Sequence, residues 1–170
     1  MDFLQLAHER YSCRKFSDRE VEQEKIDKIL EAAIAAPTAV NLQPYKIWVV
    51  REPKNIDKIK LSTQFTFGAK LILIVGANEQ EGWVRGFDKK HFAQIDASIV
   101  ATHIILAAQS LGLGSTWVGY FENVKLKSMF PKINDYEIVG LFPIGYPADD
   151  AKPAPRHTDR KPVEELVEYC

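Results

Sequence analysis

An alternating run near the start of the chain carries the side chains best suited to bind an anion. Arg10, Ser12 and Arg14 are separated by single residues, so in an extended segment their side chains point to the same face. Guanidinium groups stay charged and bind phosphate oxygens through paired donors. The spacing therefore predicts a phosphate site. The alternative is a solvated polar segment whose arginines form ion pairs with Glu9 or Glu20.

A second polar cluster lies between two prolines. Pro37 and Pro44 flank Thr38, Asn41 and Gln43, and prolines prevent a helix or a strand from running through the stretch. Side-chain amides both donate and accept hydrogen bonds, which suits the edge of a ring that carries donors and acceptors. The alternative interpretation is an ordinary polar connection between a helix and a strand.

The remaining ionisable residues do not form a catalytic set. The four histidines never lie at metal-ligand spacing, and two cysteines imply no disulfide framework. We expect His103 to be a hydrogen-bonded core residue, and Asp96 to be a structural partner for an arginine or a cap rather than a general base. The sequence therefore points to chemistry carried by a cofactor, with no metal.

Composition excludes several classes of protein. With 170 residues, 46% hydrophobic and 26% charged, the chain is predicted to be a single domain, 1–170. A net charge of −1 without a basic run argues against nucleic acid or an anionic membrane as partner. Polar residues within 92–111 exclude a good transmembrane helix. The N-terminus does not resemble a signal peptide, so we expect a cytoplasmic protein.

Hydrophobic periodicity predicts helices and strands that alternate irregularly, which is typical of an α+β layered domain. The predicted helices are 2–9, 22–36, a short one that opens at Pro53, a long buried one at 91–111, 123–130 capped by Asn123, and a last one from Pro162. The predicted strands are 45–51, 71–75, 115–120 and 137–146. The proline-rich tail, 147–170, has no core of its own and is expected to dock on a surface.

Five segments together resemble the FMN-dependent nitroreductase family, in order along nearly the whole chain. They are 10–16, 36–45, 108–121, 143–147 and 160–162. Each segment alone is a weak motif, and their shared order makes the match specific. The resemblance implies an α+β three-layer fold, in which helices flank a central, mostly antiparallel sheet of four to five strands.

The resemblance also implies a homodimer with two FMN sites, each built from both chains. The residues at the phosphate and ribityl positions are Arg10, Ser12, Arg14 and Arg160, and Arg14 also falls near the flavin N1–O2 edge. The residues that would reach the ring from the other subunit are Pro37, Thr38, Ala39, Asn41 and Gln43. Val118 and Gly119 fall where the backbone approaches flavin N5 and O4. The tail, 147–170, is implied to wrap the partner.

The implied activity is a ping-pong hydride transfer from NADH or NADPH, through flavin N5, to a small oxidised acceptor such as a nitroaromatic or a quinone. The flavin carries the chemistry, so no side chain is assigned as catalytic. A flavin-binding carrier or regulatory protein without turnover is the alternative. Residues 78–90 are too few for the helical cover of longer family members, and Trp83, Arg85 and Phe87 are the candidates for a reduced substrate cover.

Overall fold

The computed structural model describes residues 2–170, which form an α+β domain. The helices are α1 (Phe3–Glu9), α2 (Gln23–Ile34), α3 (Pro53–Ser62), α4 (Ala93–Ser110), α5 (Asn123–Met129) and α6 (Val163–Leu166). The strands are β1 (Tyr45–Val50), β2 (Leu71–Ala77), β3 (Gly114–Ser115) and β4 (Glu137–Gly145). Short 3-10 turns lie at Ala39–Asn41, Pro131–Ile133 and Pro155–His157. No helix within residues 2–170 has both the length and the apolar composition needed to span a bilayer.

The four strands form one antiparallel sheet in the order β1-β2-β4-β3. Strand β2 is central, and all seven of its residues are buried, as its continuous apolar sequence predicts. It does not end at Gly76 as expected but continues to Ala77, with a register shift between Val75 and Gly76. The resemblance implies a mostly antiparallel sheet of four to five strands, and the four-stranded sheet confirms that expectation.

Helices cover both faces of the sheet and produce three layers. Alternate residues of β2 point to opposite faces: Leu73 packs in a core with α2 and α4, whereas Ile72 packs in a second core with α3 and α5. Helix α4 contributes seven buried residues and only half-buries most of its remaining apolar ones. The expected three-layer architecture is therefore confirmed.

The third strand is much shorter than predicted. The sequence predicts 115–120, but β3 ends at Ser115, and Val118 forms only an isolated antiparallel bridge with Leu141. Both pairings keep one register along β4. They are interrupted opposite Pro143, whose nitrogen carries no hydrogen for the ladder. The segment around Val118 and Gly119 therefore lies beside β4 without being a regular strand.

Three smaller expectations have mixed outcomes. Asp2 caps α1 by accepting a hydrogen bond from the Gln5 amide at 2.9 Å. His103 is hydrogen-bonded, with Nδ1 3.0 Å from the Ala32 carbonyl oxygen. Asn123 is not the cap of α5, because Glu122 occupies that position and Asn123 is already helical.

The start of α2 is tied to the end of the sheet by a group of polar side chains. The Tyr146 hydroxyl donates to Glu22 at 2.7 Å, and Arg19 donates to the same carboxylate at 2.5 Å while its guanidinium lies 3.8 Å from the Tyr146 ring centroid. These donors, the tyrosine hydroxyl foremost, together with the backbone amide of Glu22, lower the pKa of Glu22 to about 2.

The first part of the tail returns along the N-terminal segment of its own chain. Phe16 and Pro147 form an antiparallel bridge, the Ala148 amide donates to the Lys15 carbonyl oxygen at 3.1 Å, and Lys15 forms an ion pair with Asp150. Residues 158–170 are exposed throughout. The apolar residues expected inside α6 are among them, so they are not buried by their own chain. The prediction of docking on a partner therefore concerns residues 158–170.

Candidate functional site

The Arg10–Arg14 segment is fixed against the sheet edge by its central residue. Ser12 bridges Ser115 in parallel, and the Cys13 amide donates to the Ser115 carbonyl oxygen at 2.9 Å. Cys13 is fully buried, and a Cβ added to Gly114 would lie 2.6 Å from the Cys13 Cβ. The segment thus packs closely against β3, whereas Arg14 is exposed to solvent.

A cleft of about 210 Å³ gathers the predicted cationic residues. Its lining consists of Arg10, Tyr11, Ser12, Arg14, Ala154, Arg156, His157 and Arg160. No carboxylate within residues 2–170 lies at ion-pair distance from any of its four arginines. The alternative in which Arg10 and Arg14 form ion pairs with Glu9 or Glu20 is therefore not observed. A cleft with four unpaired guanidinium groups suits a phosphate.

Four residues of this cleft were not predicted as site residues from the sequence: Tyr11, Ala154, Arg156 and His157. The 3-10 turn Pro155–His157 places Arg156 and His157 beside the N-terminal segment, and the His157 ring packs edge-on against Tyr11 with centroids 6.2 Å apart. Burial, reinforced by the nearby Cys13, raises the pKa of Tyr11. The only signal in the sequence is the pair of basic residues after Pro155.

The loop at 37–43 has a strained backbone. Val40, Asn41 and Gln43 have positive φ values of 53°, 57° and 54°, a region that residues other than glycine seldom adopt and that is least favourable for a β-branched residue such as valine. Strain of this kind persists only where the surroundings impose it, and it clusters at functional sites.

Hydrogen bonds hold this loop at both ends. The Ala39 amide donates to Asp96 Oδ1 at 2.9 Å, and the Gln43 amide donates to Thr38 Oγ1 at 3.1 Å. Asn41 and Gln43 are exposed, and the Gln43 side chain donates to the Asn41 carbonyl oxygen at 3.1 Å. Pro37 is also exposed, whereas Thr38 and Ala39 are half-buried. None of these residues lines the arginine cleft of the same chain.

Gly119 opens onto a separate groove of about 480 Å³, lined by residues 60–64 and 119–122. Its walls are joined by hydrogen bonds from the Thr63 hydroxyl to the Tyr120 carbonyl oxygen at 2.7 Å and from the Glu122 amide to the Ser62 carbonyl oxygen at 2.8 Å. A Cβ placed on Gly119 would meet nothing within 4 Å. The backbone there is free to approach a flat ligand.

The candidate cover residues lie in a short turn and line neither the cleft nor the groove. Trp83 packs on Phe92 with ring centroids 4.9 Å apart, and Arg85 forms an ion pair with Asp88. Phe87 is 99% exposed. Trp83 and Arg85 therefore contact nearby residues, and Phe87 faces solvent. Within one chain, none of the three lines the cleft or the groove, which contain other predicted site residues.

An antiparallel sheet lies between two helical layers, and an arginine cleft whose donors suit a phosphate lies at one edge of this α+β domain. A model of the nitroreductase family matches residues 7–64 and 59–146. The chain belongs to the nitroreductase family.

Solved structures and a curated relative agree with this assignment. A nitroreductase family protein from Clostridium difficile 630 is 37% identical, with 99% of this chain and 98% of the other covered and a TM-score of 0.92. An FMN-dependent nitroreductase from Clostridium difficile R20291 is 29% identical, with 98% of both chains covered and a TM-score of 0.80. A Methanothermobacter thermautotrophicus protein, provisionally named NADH dehydrogenase/NAD(P)H nitroreductase, is 35% identical over 88% of this chain and 80% of its own.

Proposed function

We propose that the protein is an FMN-dependent oxidoreductase that uses NADH or NADPH to reduce a small oxidised acceptor, such as a nitroaromatic or a quinone. The observation that carries this proposal is the arginine cleft, which lies at the positions where the family resemblance implies the flavin phosphate. Relatives support the chemistry, since one is named an FMN-dependent nitroreductase and a Bacillus subtilis relative, 27% identical over 85% of this chain and 66% of its own, is named an FMN reductase.

The donors present fit the phosphate end of FMN. A phosphate monoester carries a charge of about −1.5 to −2 at neutral pH. Arg10, Arg14, Arg156 and Arg160 offer guanidinium donors without competing carboxylates among residues 2–170, and Ser12 adds a hydroxyl. The cleft would therefore bind the phosphate and set the position of the rest of the cofactor.

The exposed backbone at Gly119 suits the ring end of the same cofactor. Because no side-chain atom would lie within 4 Å of a Cβ there, a flat ring can approach the main chain closely. When bound, FMN supplies the hydride relay between the nicotinamide and the acceptor. The chain's own residues bind and orient it, and a nearby Arg14 would favour negative charge on the reduced ring.

We further propose a homodimer in which the 37–43 loop completes the partner's site. The loop contributes nothing to the arginine cleft of its own chain, although Asn41 and Gln43 present amides to solvent. It also exposes 73% of Val40 and 48% of Leu42, and exposed apolar side chains grouped in this way are typical of an interface. The exposed α6 is the second candidate contact with the partner.

Mixing two defective variants tests the shared site. In Arg14→Ala the cleft is impaired, and in an Asn41→Ala/Gln43→Ala double variant the loop is impaired. After subunit exchange, each mixed dimer contains one site with both parts intact, so about a quarter of all sites should recover NAD(P)H-dependent turnover. No recovery, despite confirmed mixed dimers, would contradict the shared site.

Reduction of the bound flavin separates the enzyme from a carrier. Under anaerobic conditions, NADH or NADPH should bleach the flavin absorbance within the time of a catalytic turnover. A tightly bound flavin that neither nicotinamide reduces would favour the flavin-binding or regulatory protein instead.

A further inference from the structure

A buried carboxylate links the long helix to the strained loop. Asp96 is 2% exposed, and its Oδ1 accepts a hydrogen bond from the backbone amide of Ala39 at 2.9 Å, across 57 positions of sequence. Ala39 is the first residue of the 3-10 turn in the 37–43 loop. The side chain therefore caps that turn from another element, which is the second of the two structural roles, partner of an arginine or cap, that the sequence suggested.

The surroundings of Asp96 are unusual for an acidic residue. Aspartate is seldom fully buried unless it is paired, yet no cationic side chain within residues 2–170 forms an ion pair with it. Its second oxygen, Oδ2, is buried without any hydrogen-bond partner in the described chain. Asp96 lies in the first turn of α4, where the positive end of the helix dipole stabilises an acidic side chain. A buried polar atom without a hydrogen-bond partner lowers the stability of the fold, so we infer that Asp96 has a role beyond packing.

The loop that Asp96 holds cannot keep its conformation by local preference. Three of its residues other than glycine have positive φ, and each such residue costs free energy unless its surroundings impose the conformation. The Thr38 hydroxyl secures the far end of the loop at Gln43. Asp96 is the partner that secures the beginning of the loop, through the hydrogen bond that its Oδ1 accepts from the Ala39 amide.

We propose that Asp96 is a positioning residue for the flavin: by anchoring Ala39 it fixes the loop amides where the partner subunit's ring binds. This inference rests on the proposed function for its consequence, but the anchoring itself does not require a flavin. Asp96 has no contact with the arginine cleft residues among its hydrogen bonds, so it acts through the loop alone.

The flavin-free protein tests the anchoring directly. Hydrogen exchange of the Ala39 amide, followed by NMR, should become about tenfold faster or more in Asp96→Ala, because the amide loses its acceptor. Asp96→Asn keeps an oxygen acceptor and should restore much of the protection. Asp27→Ala removes an exposed carboxylate from α2 and should leave the Ala39 amide unchanged. Unaltered exchange in Asp96→Ala would overturn the proposal.

Flavin binding tests the consequence. In Asp96→Ala the FMN dissociation constant should rise about 10- to 100-fold, and the visible spectrum of the remaining bound flavin should shift towards that of free FMN. Asp96→Asn should recover both properties, which a general loss of stability would not allow. If Asp96→Ala does not fold, Asp96→Leu fills the space without an acceptor and serves the same test.

The two proposals can fail separately. If the wild-type protein binds no FMN, the proposed function is wrong, and the exchange of the Ala39 amide still decides whether Asp96 anchors the loop. If the wild-type protein binds FMN and Asp96→Ala binds it equally well with an unchanged spectrum, the positioning role is wrong and the proposed function stands.

Discussion

Replacing Arg10 tests the assignment of the phosphate cleft most sharply. Arg10 is half-buried, whereas the cleft's other arginines are exposed. A hydrogen bond to a charged group contributes about 1.5–3 kcal/mol, and an exposed ion pair contributes about 0–1 kcal/mol. We therefore expect Arg10→Ala to cost about 1.5 kcal/mol of FMN binding, which is about a tenfold rise in the dissociation constant.

The assay is a fluorescence titration of the flavin-free protein with FMN and, in parallel, with riboflavin, which has no phosphate. The loss in Arg10→Ala should appear with FMN and be absent with riboflavin. It should also shrink as salt is raised, because the remaining cleft is partly open to solvent. Lys15→Ala is the matched control, since this nearby cation forms an ion pair with Asp150 and does not line the cleft.

Two results would refute the reasoning. Equal affinity for FMN in Arg10→Ala and Lys15→Ala would mean that the cleft does not bind the phosphate. Equal losses with FMN and riboflavin would mean that Arg10 acts on the ring or on the fold instead.

Three further predictions follow from local geometry. Glu22→Gln should make stability depend less on pH in the acid range. The folded state lowers the pKa of Glu22 to about 2, so the ionised carboxylate stabilises the fold above its unfolded pKa, and this stability is lost as the pH falls from about 4.5 towards 2. Denaturant unfolding at several pH values measures the effect. Gly114→Ala should lower stability by about 1–3 kcal/mol by overpacking against Cys13, whereas Gly86→Ala has open space and should not, as thermal melting would report. Phe87→Ala should leave the melting temperature unchanged, because the ring is 99% exposed, and should raise KM for a bulky acceptor, as the loss of a substrate-covering side chain would.

Each of these predictions has a result that contradicts it. Glu31→Gln removes an exposed carboxylate from α2, the helix whose N-cap residue is Glu22. If the stability of Glu31→Gln depends on acid pH as weakly as that of Glu22→Gln, Glu22 has no special role. A Gly114→Ala protein as stable as the wild type would show that the Cys13 contact relaxes freely. An unchanged KM in Phe87→Ala would exclude it from the substrate cover.

Local sequence patterns were sufficient to predict a layered α+β domain, whereas the arrangement in three layers was implied by the family resemblance. The periodic apolar residues of α2 and the continuous apolar run of β2 reflect burial that each segment needs wherever it packs. The length of β3 could not be obtained in this way, because it depends on Pro143 of another strand. Pairing between distant segments is a tertiary property that no single window contains.

The candidate site also has a part that local sequence patterns predict and a part that depends on contacts between distant segments. Alternation predicted that Arg10, Ser12 and Arg14 share one face, since that follows from extended geometry alone. Arg156 and His157 reach the same cleft only because the tail returns along residues 15–17. The contact of Asp96 with Ala39 depends on how α4 packs beneath the loop, so the sequence suggested a structural role for this carboxylate but not its partner.

The visible spectrum of the purified protein, with FMN added if needed, tests the central claim most directly. We predict a flavin absorbance band that stays with the protein through gel filtration and that NADH or NADPH bleaches under anaerobic conditions. A colourless protein that cannot take up added FMN would contradict the account.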